Sequence, residues 1–339
     1  MESVLNSNTI ARIFGWTLSI IGFIGNSTVI VMNHNLRKRK TYPNQQADSI
    51  LHHRYNSSRL GKITLFLFTN LAVSDLFTVV HLFIILSADA HYNIWQRNNT
   101  QIENNSSILD LPNQWLKSPF CFLARFIIQL TFHLSIGISL IVTTDRYISI
   151  LHPTSKYKLT YRIAKRSVLL FWLTSLLIAS ILVISSVFLT DYHVWLVYAN
   201  LCITADINII FIRILSFLSI AWALLATIII TFMYVMIFKT VKSVRLVLRS
   251  QCSIYERKVL KMAVIIVIAN VISWLPIGFA AVIRITKSPL LQNFTYERTI
   301  PILLMCVTMT AAINPFIYIF SSYYQPCTRI YRSHEMKVR

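Results

Sequence analysis

Acidic residues are scarce in this chain: 12 Asp and Glu stand against 32 Lys and Arg in 339 residues, and charged residues together make up only 13%. That is too few charges to solvate a soluble domain of this length. Glycine, with 6 copies, and proline, with 9, are also sparse, which disfavours a barrel of short alternating strands joined by turns. The start of the chain, Met1 to Ala11, lacks the basic region of a cleavable signal peptide and runs into a segment long enough to stay in a bilayer. What the chain does have is apolar residues, at 55%, and a mean hydropathy of +0.59. Lipid is the expected solvent, and in lipid each segment must satisfy its own backbone. The fold class that follows is all-α.

A hydrocarbon core of about 30 Å takes roughly 20 helical residues to cross. Stretches of that kind fall near Ile13 to Asn33, Ile63 to Ala88, Phe120 to Ile150, Ser167 to Leu189, Ile207 to Phe238, Met262 to Ile283 and Thr299 to Phe320. This gives a seven-transmembrane-helix bundle over residues 13–320, a short N-terminus over 1–12 and a tail over 321–339. An odd number of spans puts the termini on opposite sides, and the first span is expected to serve as its own insertion signal.

The net charge of +20 could suggest nucleic acid binding, but position decides otherwise. With the N-terminus outside, the cytoplasmic segments gather most of the basic residues, among them Arg37 to Lys40, Lys165, Arg166, Arg257, Lys258, Lys261, Arg329 and Arg332. That asymmetry orients membrane proteins and needs no nucleic acid. Glycosylation sequons agree: Asn98, Asn104, Asn105 and Asn293 fall in loops placed outside, while Asn26 and Asn56 should be silent. Of the five cysteines, Cys121 and Cys202 sit at outer boundaries, where a disulfide can form, and are expected to pair. Such a bridge would pin the long loop after the fourth span to the top of the third. Cys252 and Cys327 face the cytosol, and Cys306 lies within a span.

A charge inside a membrane helix is costly, so Asp75 is a functional-site candidate by default. It ends the run Asn70, Leu71, Ala72, Val73, Ser74, Asp75, and the first span supplies Gly25 and Asn26. The third span ends in Asp145, Arg146 and Tyr147, with Pro153 just beyond; Cys121 lies 25 residues before Arg146. Trp172 is in the fourth span, Tyr234 late in the fifth, and Trp274, Leu275 and Pro276 in the sixth, with Glu256 20 residues before that proline. The seventh holds Asn314, Pro315 and, three residues on, Tyr318. Singly, each has an ordinary reading: the tryptophans as packing aromatics, Asp145 as a mate for its neighbour's charge, Pro315 as an incidental kink. Together and in this order they closely resemble the rhodopsin-like G-protein-coupled receptors, from about Ile13 to Cys327.

The resemblance implies a multi-pass plasma-membrane receptor that is not an enzyme. It would signal to a heterotrimeric G protein by outward movement of the sixth helix, flexing at Pro276 and Pro315 beside Trp274. Arg146 would pair with Asp145 and Glu256 at rest, with Tyr147, Tyr234, Asn314 and Tyr318 completing the switch. Asp75, Ser135 and Asn314 match positions that hold an allosteric sodium ion, although Thr310 and Ala311 stand where polar ligands are often found. No other cofactor or metal is expected. Residues Ser321 to Arg332 are a candidate short amphipathic eighth helix on the inner leaflet, with Cys327 a candidate acylation site, or else a plain tail. The basic loops would contact anionic membrane lipids.

Two loops are longer than the family's pattern, about Asn35 to Lys62 inside and Asp89 to Pro119 outside. The fifth span has no proline, and Ser273 to Gly278 resembles the glycoprotein-hormone, relaxin and leucine-rich-repeat branch, yet only about a dozen residues precede the first span, so no repeat ectodomain is expected. A peptide or protein ligand fits this reading, with Gln129, His133 and Arg284 as pocket candidates from helix position alone. The absence of a lysine between Thr299 and Phe320 to form a retinal Schiff base argues against a light sensor. The rival class is a transporter or proton channel, motivated by Asp75, His81 and His133, but no inverted repeat is detectable. No nucleophile and base set suggests an enzyme.

Overall fold

The computed structural model describes residues 4–5, 8–41, 59–99, 115–152, 155, 157–189, 201–202, 209–247, 265, 269, 272–273 and 296–322. Among them are six long helices: α1 (Thr9–Thr41), α2 (Arg59–Asn99), α3 (Pro119–Leu151), α4 (Tyr161–Leu189), α5 (Ile210–Val247) and α6 (Tyr296–Ser322), the last covering the seventh expected span. Five segments of α1 to α5, from Thr9–Asn35 to Ile210–Thr240, are long and apolar enough to cross a membrane. Within the sixth expected span, Ile265, Ala269, Ile272 and Ser273 are helical; Ile265 and Ile272, two turns apart, point out, while Ala269 and Ser273, one turn apart, are buried. The chain is a bundle of membrane-spanning helices, as its composition implied.

Helix starts are set by side chains that satisfy the free N–H groups of the first turn. Asn8 Oδ1 accepts from Ala11 N–H at 3.0 Å for α1, Ser118 Oγ from Cys121 N–H at 3.1 Å for α3, and Thr160 Oγ1 from Ile163 N–H at 3.3 Å for α4. Pro119 takes the first turn of α3, where its missing N–H costs nothing.

Helix α3 packs against α2, α4 and α5; α2 packs in addition against α1, α4 and α6, and α1 against α6. Correspondingly α3 buries even Arg125, Gln129, His133 and Asp145, whereas α4 and α5 expose Leu169, Leu173, Leu177, Phe217, Leu225 and Ile228 to lipid. Glycine permits the closest approaches of α1: a Cβ on Gly25 would meet Pro315 Cβ at 2.8 Å, and one on Gly22 would meet Val79 Cγ2 at 2.7 Å. The kinking proline of α6 thus seats against a helix that has no side chain there.

Several boundaries differ from expectation. Helix α1 begins at Thr9, within the segment read as an N-terminus, and runs on through the basic Arg37 to Lys40. Helix α2 continues to Asn99, absorbing the first eleven residues read as outer loop. That extension is docked: Asp89 is ion-paired and Tyr92 packs its ring against Trp115 at 5.9 Å. Hydropathy falls where a helix leaves the lipid, but hydrogen bonding and packing carry it further.

Candidate functional site

Three groups of polar side chains lie in the bundle, one at each depth. In the middle, Asp75 of α2 is 1% exposed. Its carboxylate accepts from Asn314 Nδ2 of α6 at 2.9 Å and, more weakly, from Ser135 Oγ of α3 at 3.5 Å; Ser74 Oγ lies 2.7 Å from Ser135 Oγ. One turn of α6 earlier, the Ala311 carbonyl accepts from Asn26 Nδ2 of α1 at 2.8 Å. A proline at position 315 cannot bond back to the Ala311 carbonyl, so that oxygen is free for Asn26. Asp75, Ser135 and Asn314, the three residues expected to share a site, are therefore brought together. Ser74 was not foreseen, because a serine one position before the acid carries no signal of its own.

Oxygen-rich groups suit hard cations. The Asp75 carboxylate and the hydroxyls of Ser74 and Ser135 are donors of the kind a sodium ion takes, so the set is compatible with one. The amide of Asn314 turns its nitrogen to the acid, as the hydrogen bond requires. No cluster of three or more His, Cys, Asp or Glu that could hold a metal occurs among the described residues.

At the cytoplasmic end, Asp145 is 3% exposed and Tyr234 of α5 is 8% exposed. Tyr234 joins Tyr147 in a packed cluster with Ile230 and Ile237. Arg146 behaves differently from expectation. Its Nη2 donates to Thr64 Oγ1 of α2 at 3.0 Å and its guanidinium lies 5.9 Å from the Phe68 ring centre, while no ion pair within 4.0 Å joins it to Asp145. Adjacent residues on a helix diverge by about 100°, so Arg146 reaches sideways to α2 more readily than back to its neighbour. Thr64 is a partner that no sequence pattern announced.

Further support for the motif positions is local. Trp172 Nε1 donates to Asn70 Oδ1 at 3.3 Å, and Asn33 Nδ2 to Thr69 Oγ1 at 3.1 Å. Asn26, whose sequon was expected to be silent, is fully buried in α1. The backbones of Asn98 and Tyr318 lie in α2 and α6, with their side chains outside the described residues. Glu256, Trp274, Pro276, Arg284, Asn104, Asn105, Asn293 and Cys327 also lie outside them.

At the outer end, Cys121 and Cys202 form a disulfide with Cα atoms 5.4 Å apart, as expected. Gln129 and His133, the two pocket candidates on α3, are buried. His81 is occupied by the Ala124 carbonyl at 2.9 Å from Nδ1, and no described group links either histidine to Asp75. The proton relay that motivated a channel reading is not assembled among the described residues. Two further residues escaped the sequence reading: Arg12 of α1 and Asp89 of α2, whose Nε and Oδ2 atoms are 2.6 Å apart. Their signal was present, since a basic residue opens the first span and an acid closes the second on the same side.

Comparison with known proteins agrees with this arrangement. Over 334 residues, 94% of the chain, it is 25% identical to the G-protein coupled receptor GRL101 of Lymnaea stagnalis. It is 23% identical over 310 residues to the follicle-stimulating hormone receptor of Equus caballus and 23% over 318 residues to that of Rattus norvegicus. The chain spans 25% of the first relative and 38% and 39% of the other two. Residues 50–318 match the family model of the 7 transmembrane receptor of the rhodopsin family. With the apolar helices, the polar groups at their three depths and a match over most of its length, the chain belongs to the rhodopsin family of seven-transmembrane receptors, multi-pass proteins of the plasma membrane that transmit signals and are not enzymes.

Proposed function

We propose that this receptor converts the binding of an extracellular peptide or protein into nucleotide exchange on a heterotrimeric G protein, through outward movement of the sixth span. The observation that carries the reading is the Asp75 cluster, in which Asn314 of α6 and Ser135 of α3 meet one buried carboxylate of α2. A buried carboxylate shared by three helices is costly to leave half-satisfied, so their relative positions are confined to a few arrangements. Such a bundle switches between packings, and a ligand shifts the balance by binding one better. The same α3 carries Arg146 near its cytoplasmic end, so a change at mid-membrane reaches the cytoplasmic face through one rigid helix.

In this scheme Arg146 leaves Thr64 when the receptor activates and faces the G protein, Glu256 and Asp145 bias it towards rest, and Tyr234 and Tyr318 support the open form. Pro276 and Pro315 are the flexure points, with Trp274 between them and the ligand. Sodium, held by Asp75 and Ser135, would favour the resting packing by its charge. The ligand class is supported by the relatives named for follicle-stimulating hormone, a protein hormone. Gln129, His133 and Arg284 are the pocket residues in this reading. The basic inner loops favour anionic lipid.

The test is guanine-nucleotide exchange on a panel of purified G proteins with reconstituted wild type, Glu256→Ala and Arg146→Ala. Exchange that rises with Glu256→Ala and disappears with Arg146→Ala is expected and names the partner. If a well-folded Glu256→Ala preparation drives none of the panel, the coupling reading fails, and ion flux through wild type and Asp75→Asn becomes the measurement to make.

A further inference from the structure

Leu5 is completely buried and Val4 is 6% exposed, although both precede the first helix. They belong to one apolar cluster with Leu82, Leu86, Trp115, Leu201 and the Cys121–Cys202 bridge at the outer mouth of the bundle. Apolar contact is only part of the attachment. The Leu5 N–H donates to Asp89 Oδ1 at 2.8 Å, and the other oxygen of the same carboxylate takes Arg12 Nε at 2.6 Å. Asp89 is itself 2% exposed. The Leu5 carbonyl accepts from Asn8 N–H at 3.0 Å, and Asn8 is the residue that caps α1.

This is the arrangement of a ligand in a site. An aliphatic side chain fills a pocket, and a buried carboxylate fixes both a main-chain N–H and a guanidinium, each oxygen accepting one donor. A buried carboxylate is stable only with such charge-assisted partners. Whatever occupies this mouth must therefore supply them.

We propose that the outer mouth is a peptide-binding site that the receptor fills with its own Val4, Leu5 and Arg12. Asp89 is the latch, and an external peptide carrying an aliphatic residue beside a guanidinium or free main-chain donor binds by displacing that segment. The external ligand rests on the peptide-receptor reading above, but occupancy and recognition are both testable without any G protein. The tethered segment has the advantage of millimolar effective concentration over a free peptide. A ligand must outbid it by making contacts the segment does not, or act on a receptor whose latch has opened.

The test has two arms on the full chain in lipid nanodiscs. First, hydrogen exchange at the Leu5 amide, followed by mass spectrometry, should be slow in wild type. It should quicken about five- to tenfold in Asp89→Asn, whose amide oxygen still accepts but lacks the charge that roughly doubles the strength of the bond. Exchange in the α3 peptides should stay unchanged, which separates unlatching from unfolding. A Leu5 amide as fast in wild type as in an unstructured peptide, or equally slow in Asp89→Asn, overturns the proposal.

Second, a fluorescein-labelled synthetic peptide of residues 4–12 is titrated against wild type, against Leu5→Asp/Arg12→Gln, whose mouth is emptied, and against that variant with Asp89→Asn added. Binding to the emptied receptor at least about tenfold tighter than to wild type, and lost with Asp89→Asn, is expected. Equal binding by all three, or none by the emptied receptor, refutes the site. Either result leaves the nucleotide-exchange test standing on its own.

Discussion

Replacing Thr64 by valine removes the hydroxyl that holds Arg146 while keeping the shape of the side chain. The lost contact is one charge-assisted hydrogen bond of 3.0 Å. Such a bond is worth roughly 1.5–3 kcal/mol when well shielded. Arg146 is only half-buried, so solvent competes, and about 1 kcal/mol is the reasonable share. If the Thr64-bound arginine is the resting form, that loss raises the ratio of released to held Arg146 about fivefold. Ligand-independent nucleotide exchange by the reconstituted receptor should rise by about the same factor. Thr64→Ser, which keeps the hydroxyl, should stay near wild type. Phe68→Leu should add a smaller rise, because the ring contact at 5.9 Å is worth about 0.5–1 kcal/mol. The two changes should combine less than additively, since both release the same guanidinium. Exchange by Thr64→Val no faster than wild type, or as fast in Thr64→Ser as in Thr64→Val, would refute the idea that α2 holds the arginine.

Other expectations follow from the packing and the central acid. Gly25→Ala places a methyl 2.8 Å from Pro315 Cβ, so α1 and α6 must part, and thermal unfolding in detergent should show a loss of about 1–3 kcal/mol, whereas Gly25→Ser should be no milder. Trp172→Phe leaves Asn70 Oδ1 without its 3.3 Å donor from α4 and should lower stability by about 1 kcal/mol in the same assay, an effect absent if Asn70 has already been changed to leucine. Wild type should gain thermal stability as sodium chloride replaces choline chloride at constant ionic strength, and Asp75→Asn should lose that gain; a sodium effect of equal size in the variant would remove Asp75 from the ion's coordination.

The spans, their order and the motif residues were legible from the sequence because each reflects a constraint that acts along the chain. Lipid demands long apolar helices, and an acid or an Asn-Pro pair inside one is visible as an exception. Boundaries were less legible. Helix α2 runs past Ala88 to Asn99, since Asp89 and Tyr92 find partners in α1 and at Trp115, and hydropathy has no view of partners. The same blindness explains Arg146, for which Asp145 and Glu256 were the expected mates: the neighbouring Asp145 does not pair with it, Glu256 lies outside the described residues, and the observed partner is Thr64, some 80 positions away in the chain.

By itself, then, the sequence determined that the chain lives in lipid, how it crosses, which face of the membrane its basic loops occupy and which residues are out of place in a membrane helix. These follow from solvent and period, which every local segment feels. Only the tertiary structure decided which of the misplaced polar groups share a site: Asp75 with Asn314, Arg146 with Thr64, and Asp89 with both Arg12 and the Leu5 backbone. A buried charge must be satisfied by whatever donor the packing of helices brings within about 3 Å, and that choice is made in three dimensions.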